Sequence, residues 1–184
     1  MADLQVRLDL FNNDWYQPGR NIFIRLAWYF INLIFFRSGW LIFSFPKRIL
    51  LQLFGASVGK GVVIKPHVNI KYPWKLHIGN YVWIGEEVWI DNLDQVQIGD
   101  HVCISQGALL ICGNHNYKHP DFGLITKPII IETGAWIGAM CRIGPGSIIQ
   151  KNSVFSLGAV FTGTSQSGMI YQGNPALPIR KRNN

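Results

Sequence analysis

Residues 131–161 read IETGAWIGAMCRIGPGSIIQKNSVFSLGAVF, and a large apolar residue returns at every sixth position of this stretch. These residues are Ile131, Ile137, Ile143, Ile149, Phe155 and Phe161, and a small residue follows four positions after each of the first five. A period of six matches neither the roughly 3.6-residue period of an α-helix nor the alternation of a strand, so the repeat describes a larger coil. The pattern predicts a parallel β-helix, an all-β fold whose stacked coils share one core.

The same phase extends back to Val58. The earlier apolar positions are Val58, Ile64 and Ile70, then Ile78, Ile84 and Ile90, then Ile98, Ile104 and Leu110. Consecutive runs are separated by a step of eight residues, which predicts short insertions at a corner of the coil. Glycine often follows the apolar residue, as at Gly85 and Gly138, and we expect it to provide the turn geometry of a tight corner. Strands of a sandwich would recur at about 8 to 12 residues with irregular phase, so the constant phase favours the β-helix.

Composition limits the partners and the compartment. With 184 residues, 48% of them hydrophobic, the chain suits one domain with an appendage. The net charge of +7 favours anionic partners, and because no nucleic-acid-binding motif accompanies it, we expect phosphorylated cofactors or acidic lipid instead of nucleic acid. Three cysteines, an odd number, argue against a disulfide framework. We therefore expect a cytoplasmic protein.

The N-terminal residues 1–56 lack the repeat and are predicted to be helical. Residues 22–45 are very apolar, and no basic n-region precedes them, so we do not expect a cleaved signal peptide. Arg25, Asn32 and Arg37 argue against a transmembrane span. Packing on protein and peripheral attachment to the cytoplasmic face of the membrane both remain open. The predicted organisation is this segment, a β-helix over 57–165, and a C-terminal turn with a basic tail over 166–184.

The six-residue repeat is interrupted between Leu110 and Ile131, where a loop over 113–127 must project before the coils resume. Loops on rigid scaffolds commonly carry function, and this one contains His115 and His119. A neutral imidazole in such a loop can act as a general base that removes the proton of an attacking hydroxyl.

The repeat resembles that of the hexapeptide-repeat acyltransferases. The stretch Gly158-Ala159-Val160-Phe161-Thr162 and the turn Gly173-Asn174-Pro175-Ala176 resemble the end of the acetyl-CoA-dependent sugar O-acetyltransferases. The stretches 48–56 and 72–76, Ile104-Ser105-Gln106 and Gly113-Asn114-His115-Asn116-Tyr117 are similar to colanic-acid-type acetyltransferases of exopolysaccharide synthesis. The resemblance implies a left-handed β-helix of triangular section and a homotrimer with active sites between subunits.

The resemblance also implies roles for individual residues. It assigns the general base to His115, with His119 as the alternative. It places acetyl-CoA against Gly138, Ala139 and Thr162, with Arg180 on a phosphate. The chain departs from its relatives at Gly163 and Leu177, where basic residues are usual.

The acceptor is expected beside His115, one coil down. Trp89, Asp91 and Asn92 lie at one of the eight-residue steps and are the candidate contacts for a sugar or a lipid-linked saccharide. Asp91 and Asn92 could equally serve as corner residues that bond turn backbone. The acceptor-site asparagine of the maltose- and galactoside-type relatives has no clear counterpart, which indicates a different acceptor.

The predicted function is transfer of an acetyl group from acetyl-CoA to a sugar hydroxyl in exopolysaccharide or capsule biosynthesis, without a metal. Two other classes share the architecture. Gamma-class carbonic anhydrases bind zinc through three histidines, and His77, His115 and His119 have loosely similar separations, although the close pair is spaced differently. A non-catalytic β-helix scaffold is the second alternative.

Overall fold

The computed structural model describes residues 5–183, and its main body is a left-handed parallel β-helix. Each coil contributes three short strands. The first three coils contain β1 (Ser57–Val58), β2 (Val63–Ile64) and β3 (Asn69–Ile70), then β4 (Leu76–Ile78), β5 (Trp83–Ile84) and β6 (Trp89–Asp91), then β7 (Val96–Ile98), β8 (Cys103–Ile104) and β9 (Leu109–Ile111). The hairpin β10 (Gly113–His115) and β11 (Leu124–Thr126) follows β9. The next two coils contain β12 (Ile129–Ile131), β13 (Trp136–Ile137) and β14 (Arg142–Ile143), then β15 (Ile148–Ile149), β16 (Val154–Phe155) and β17 (Val160–Phe161).

Corresponding strands of successive coils form three parallel sheets along a triangular prism. Face A contains β1, β4, β7, β12 and β15, face B contains β2, β5, β8, β13 and β16, and face C contains β3, β6, β9, β14 and β17. The repeat residues stack in register, so that on face B Ile104 pairs with Ile84 in the coil below and with Ile137 in the coil above. All three side chains are fully buried. The β-helix predicted from the six-residue period is confirmed.

The glycines that follow the apolar residues have a different role from the predicted one. Gly85 and Gly138 are absent from the positive-φ positions, and what they allow is close stacking of coils. A Cβ on Gly138 would lie 2.4 Å from the carbonyl oxygen of Phe155, and one on Gly85 would lie 2.6 Å from the amide nitrogen of Gln106. The left-handed corner positions lie two residues further on and are occupied by Glu87 (φ 59°) and Met140 (φ 58°). The expectation that these glycines provide turn geometry was therefore wrong.

The eight-residue steps and the long break all fall at the corner between faces C and A, which we call the insertion corner. A 3₁₀ turn, Pro73–Lys75, follows the first coil, and residues 92–95 follow the second. The β10–β11 hairpin follows the third coil. The coils resume in register beyond it, with Ile98 paired to Ile131. The insertions therefore stand one above the other along a single edge.

The N-terminal segment covers the first coil, and we call residues 22–54 the cap. It contains α1 (Ile22–Ile31), a π-helical turn (Asn32–Phe36) and α2 (Ser44–Leu53). Side chains of the cap bond the backbone groups that a preceding coil would otherwise have paired. These bonds run from Trp28 Nε1 to the Ile70 oxygen (2.8 Å), from the Ile64 nitrogen to Ser44 Oγ (2.9 Å), and from Lys47 Nζ to the oxygens of Ile64 (3.3 Å) and Lys65 (3.0 Å).

A hairpin covers the opposite end. Strand β18 (Met169–Gly173) extends face B beyond β16 and turns into the antiparallel strand β19 (Ala176–Lys181). Beneath it Phe155, Phe161 and Tyr171 pack together, with the rings of Phe155 and Tyr171 stacked at 4.8 Å. None of the helices within residues 5–183 has the length and hydrophobicity needed to cross a bilayer.

Candidate active site

His115 lies at the end of β10, opposite Leu124 of β11. Its Nδ1 is 2.9 Å from the carbonyl oxygen of Phe122, and its ring stacks on the Phe122 ring with centroids 4.4 Å apart and planes within 6°. Since a carbonyl oxygen only accepts, Nδ1 must carry a proton, and the neutral imidazole then has its lone pair on Nε2. The hairpin therefore holds His115 in the tautomer that a general base requires.

Phe122 has φ of 50°, in the left-handed region that a bulky residue rarely adopts. The amide of Phe122 donates to the His119 oxygen at 3.1 Å, which closes the turn between the strands. This conformation lets one residue present both its ring and its carbonyl oxygen to the same imidazole. Strained backbone of this kind persists where the surrounding structure determines it.

The N-terminal residues form the other wall of a cavity of about 570 Å³ that His115 lines. Phe11 approaches His115 with ring centroids 5.8 Å apart, and the amide of Arg7 donates to the Pro120 oxygen at 2.7 Å. Tyr16 is fixed by a 2.7 Å bond from its hydroxyl to the Leu93 oxygen, and burial raises its pKa above the ordinary value. The sequence did not indicate these wall residues, since nothing in a segment without the repeat relates its positions to the coils.

His119 lies in the turn of the hairpin and has different surroundings. Its Nδ1 is 2.8 Å from Asp121 Oδ1, and 62% of its side chain is exposed. The hydrogen bonds from His119 and from the Gly123 amide hold the pKa of the Asp121 carboxyl below its usual value. Among the described residues, those that line the His115 cavity do not include His119.

The candidate acceptor residues separate into two groups. Trp89 and Asp91 line a second cavity, of about 370 Å³, between α1 and face C. Arg25, Lys71 and Tyr72 line both this cavity and the His115 cavity, so the two are adjacent.

The ion pair of Asp91 crosses between coils, because its Oδ1 lies 2.9 Å from Lys71 Nζ. Asn92 instead is fully buried. Its Oδ1 accepts from the Tyr72 amide at 2.9 Å, and its Nδ2 donates to the Tyr72 oxygen at 2.6 Å. Asn92 therefore has the corner role that the sequence left open.

The residues expected at acetyl-CoA lie on two different edges. Gly138 and Ala139 line a cavity of about 430 Å³ at the corner between faces B and C, with Ser105 and Gln106 of the coil below. Thr162 follows β17 and so lies at the insertion corner, on the same edge as the His115 hairpin. Arg180 is on β19, opposite Ile170 at the end of face B. A single chain does not bring these residues together.

Within residues 5–183, no group of three or more histidine, cysteine or acidic side chains is placed to hold a metal ion. His77 is on face A, where it pairs with Gln97 of the next coil, whereas His115 and His119 belong to the hairpin. The three histidines of the zinc alternative are therefore dispersed. The cysteines Cys103, Cys112 and Cys141 are all free.

Comparison with known proteins agrees with the geometry. No protein-family model matches the chain. A protein of Escherichia coli (strain K12) named as colanic acid biosynthesis acetyltransferase WcaF is 34% identical over 167 residues, which cover 91% of each chain. The galactoside O-acetyltransferase of the same strain is 29% identical over 140 residues, 74% of this chain and 69% of that protein.

Solved structures give the same result. A galactoside acetyltransferase in complex with coenzyme A superposes with a TM-score of 0.77 at 26% identity, over 87% of this chain and 81% of the other. A hexapeptide-repeat acetyltransferase of Vibrio cholerae O1 biovar eltor, complexed with acetyl-coenzyme A, superposes with a TM-score of 0.78 at 22% identity, over 88% of each chain. The stacked six-residue repeats, the projecting histidine hairpin and the identity across nearly the whole chain together show that this protein belongs to the hexapeptide-repeat acetyltransferase family.

Proposed function

We propose that this protein transfers an acetyl group from acetyl-CoA to a hydroxyl group of a sugar, in the biosynthesis of an exopolysaccharide or capsule. The observation that carries the proposal is the bond from His115 Nδ1 to the Phe122 oxygen, because it leaves Nε2 as the acceptor within a cavity. The 34% identity to a protein named for colanic acid biosynthesis supports the polysaccharide context. The three free cysteines suit a reducing cytoplasm, where we place the reaction.

Acetyl-CoA supplies the acetyl group as a thioester. His115 Nε2 removes the hydroxyl proton as the acceptor oxygen attacks the thioester carbonyl. The carbon–oxygen bond forms, the carbon–sulfur bond breaks, and the imidazolium returns the proton to the departing thiolate. The Phe122 carbonyl holds the ring throughout and also stabilises the imidazolium.

We place the acceptor in the His115 cavity, extending toward Asp91 and Trp89. The Asp91 carboxylate can accept hydrogen bonds from sugar hydroxyls, and the half-exposed Trp89 ring can pack against a sugar face. The cavity is also lined by two cations, Arg25 and Lys71, and by one acidic residue, Asp14. The two cations suit an acceptor that carries phosphate. Such an acceptor is a nucleotide sugar or a saccharide linked to a lipid phosphate.

The donor site requires two subunits. Gly138, Ala139 and Arg180 belong to face B and its edges, whereas Thr162 and His115 share the insertion corner. Apposing the two edges from neighbouring chains would complete one groove, with backbone contacts to the coenzyme and Arg180 on a phosphate. A closed ring of three chains would contain three such grooves.

The central test measures acetyl-CoA turnover with a panel of nucleotide sugars and lipid-linked saccharides. We expect His115→Ala to lower kcat by about 10²- to 10⁴-fold, while His119→Ala serves as the matched control from the same hairpin and retains turnover. Full activity of His115→Ala would reject its role as the base and would favour a scaffold.

The proposal that neighbouring subunits share the donor groove has a separate test. Mixed oligomers of His115→Ala and Arg180→Glu chains should regain turnover, because some grooves would receive the intact residue from each chain. Light scattering should give a mass of three chains of 20.9 kDa. Mixed oligomers as inactive as either parent variant would place both residues in one chain's site.

A further inference from the structure

The outward side of the cap is apolar. In α1 the exposed apolar residues outside the cavity between α1 and face C are Phe23 and Phe30, whereas Ile22, Leu26 and Tyr29 line that cavity. Exposed apolar residues continue along the chain to α2. The other exposed large apolar residues of the cap are Leu33, Ile34, Trp40, Ile42, Phe43, Phe45, Ile49 and Leu53. Phe23 is 79% exposed and Leu53 is 74% exposed. Exposed large apolar residues in this number on one segment indicate an interaction site.

The cap differs from an ordinary surface helix, which turns its polar side chains to water, because many of its large apolar residues are exposed. The polar residues Asn32 and Lys47 are buried and bond the first coil. The apolar residues Trp28, Phe36 and Leu51 are buried with them, and further apolar side chains remain outside. Hydrogen bonding to the β-helix explains the buried side of the cap but does not explain the exposed one.

The charged side chains in the part of the sequence that contains the cap all have one sign. No aspartate or glutamate occurs between Asp14 and Glu86. The basic residues within that interval are Arg20, Arg25, Arg37, Lys47, Arg48, Lys60, Lys65, Lys71 and Lys75. Lys47 is buried, but the other cations accompany the exposed apolar residues in a stretch of chain without anions. This combination matches a membrane surface that contains acidic lipid.

The position of the cap favours a bilayer over a second copy of the chain. It closes the first coil and therefore faces along the prism axis, whereas subunits that share the donor groove would meet side by side. Each helix has only 10 residues, about 15 Å of helix at 1.5 Å per residue. Helices of that length lie in an interface and cannot span a bilayer.

We propose that the outward face of the cap binds the surface of a bilayer containing anionic phospholipid, with Phe23, Phe45 and Leu53 inserted among the lipids. The active site then lies next to the membrane, because Arg25 of α1 lines the His115 cavity. This inference concerns attachment of the protein and stands apart from the proposed chemistry.

The test uses the full-length chain in co-sedimentation with vesicles. We expect binding to vesicles of phosphatidylglycerol and phosphatidylcholine, binding weaker by about tenfold or more to phosphatidylcholine alone, and weakening by salt on the charged vesicles. The variant Phe23→Gln/Phe45→Gln/Leu53→Gln should lose about tenfold or more in apparent affinity. The control Leu177→Gln/Ile179→Gln, which removes exposed apolar side chains at the opposite end, should bind as the parent does.

Two results would overturn the proposal. One is failure of the parent chain to sediment with the anionic vesicles. The other is a triple variant that binds vesicles normally but has a smaller oligomer by light scattering, which would make the face a contact between copies. Calorimetric binding of acetyl-CoA to the triple variant, and vesicle binding by His115→Ala, separate failure of this proposal from failure of the catalytic one.

Discussion

Lys47 should make the stability of the protein rise with pH in a range where most proteins lose stability. Its side chain is fully buried, with Nζ bonded to the backbone oxygens of Ile64 and Lys65. Burial lowers its pKa from 10.5 to about 8. Because the folded chain releases this proton more readily than the unfolded chain, the unfolded state binds more protons between the two values, and stability increases with pH there.

The size of the effect follows from the pKa difference. One pKa unit corresponds to about 1.36 kcal/mol, so the charged lysine destabilises the fold at neutral pH by about 3 kcal/mol relative to full deprotonation. Part of the deprotonation of the unfolded chain occurs above pH 10. The free energy of unfolding should therefore rise by about 2 kcal/mol between about pH 7 and pH 10.

The assay is urea unfolding followed by tryptophan fluorescence at fixed protein concentration, for the parent and for Lys47→Met. Other groups titrate in the opposite sense, since burial raises the pKa of Cys112 to about 12, and subtracting the two profiles removes their contribution. We expect the parent to gain about 2 kcal/mol over the variant from about pH 7 to pH 10. Parallel profiles would refute the argument and would mean that Lys47 titrates alike in both states.

Three further predictions concern the site. Phe122→Ala removes the ring stacked on His115 but keeps the carbonyl, so kcat should fall by about tenfold with no change in the KM for acetyl-CoA; unaltered kcat would show that the hydrogen bond alone positions the imidazole. Asn92→Ala leaves the Tyr72 amide unbonded and removes one of the two donors to the Tyr72 oxygen, which keeps its bond from the Lys75 amide, so it should lower the free energy of unfolding by about 2 kcal/mol in urea titrations. A raised acceptor KM without loss of stability would make Asn92 a substrate contact. Arg180→Ala should raise the calorimetric Kd for acetyl-CoA by about tenfold or more, and an unchanged Kd would remove Arg180 from the phosphate site.

The fold could be predicted because its six-residue period is visible within short stretches of the sequence. Each inward residue, such as Ile104 or Ile137, lies at a fixed interval from the next, and stacking in register follows from that interval. The place of the histidine hairpin was predictable for the same reason, since a break in a strict repeat must leave the coil.

What the sequence could not show depends on contacts between distant segments. The burial of Asn92 results from the backbone of Tyr72 in the coil below, and its neighbour Asp91 has a different environment. The role of Gly138 depends on the approach of Phe155 from the coil above. The contact of Phe11 with His115 joins a segment without a repeat to the hairpin, and no periodicity relates the two.

Because all the insertions lie at one corner, the hairpin can change without a change in the coils that support it. Since Ile98 pairs with Ile131 in register across the whole hairpin, the length and composition of that hairpin can vary without displacing faces A and B. Replacing residues 113–127 with the equivalent loop of a relative would therefore be a graft onto an unaltered frame. In a fold built in this way, the hairpin beside the acceptor can change while the donor contacts proposed at Gly138 and Ala139, on another edge, stay as they are.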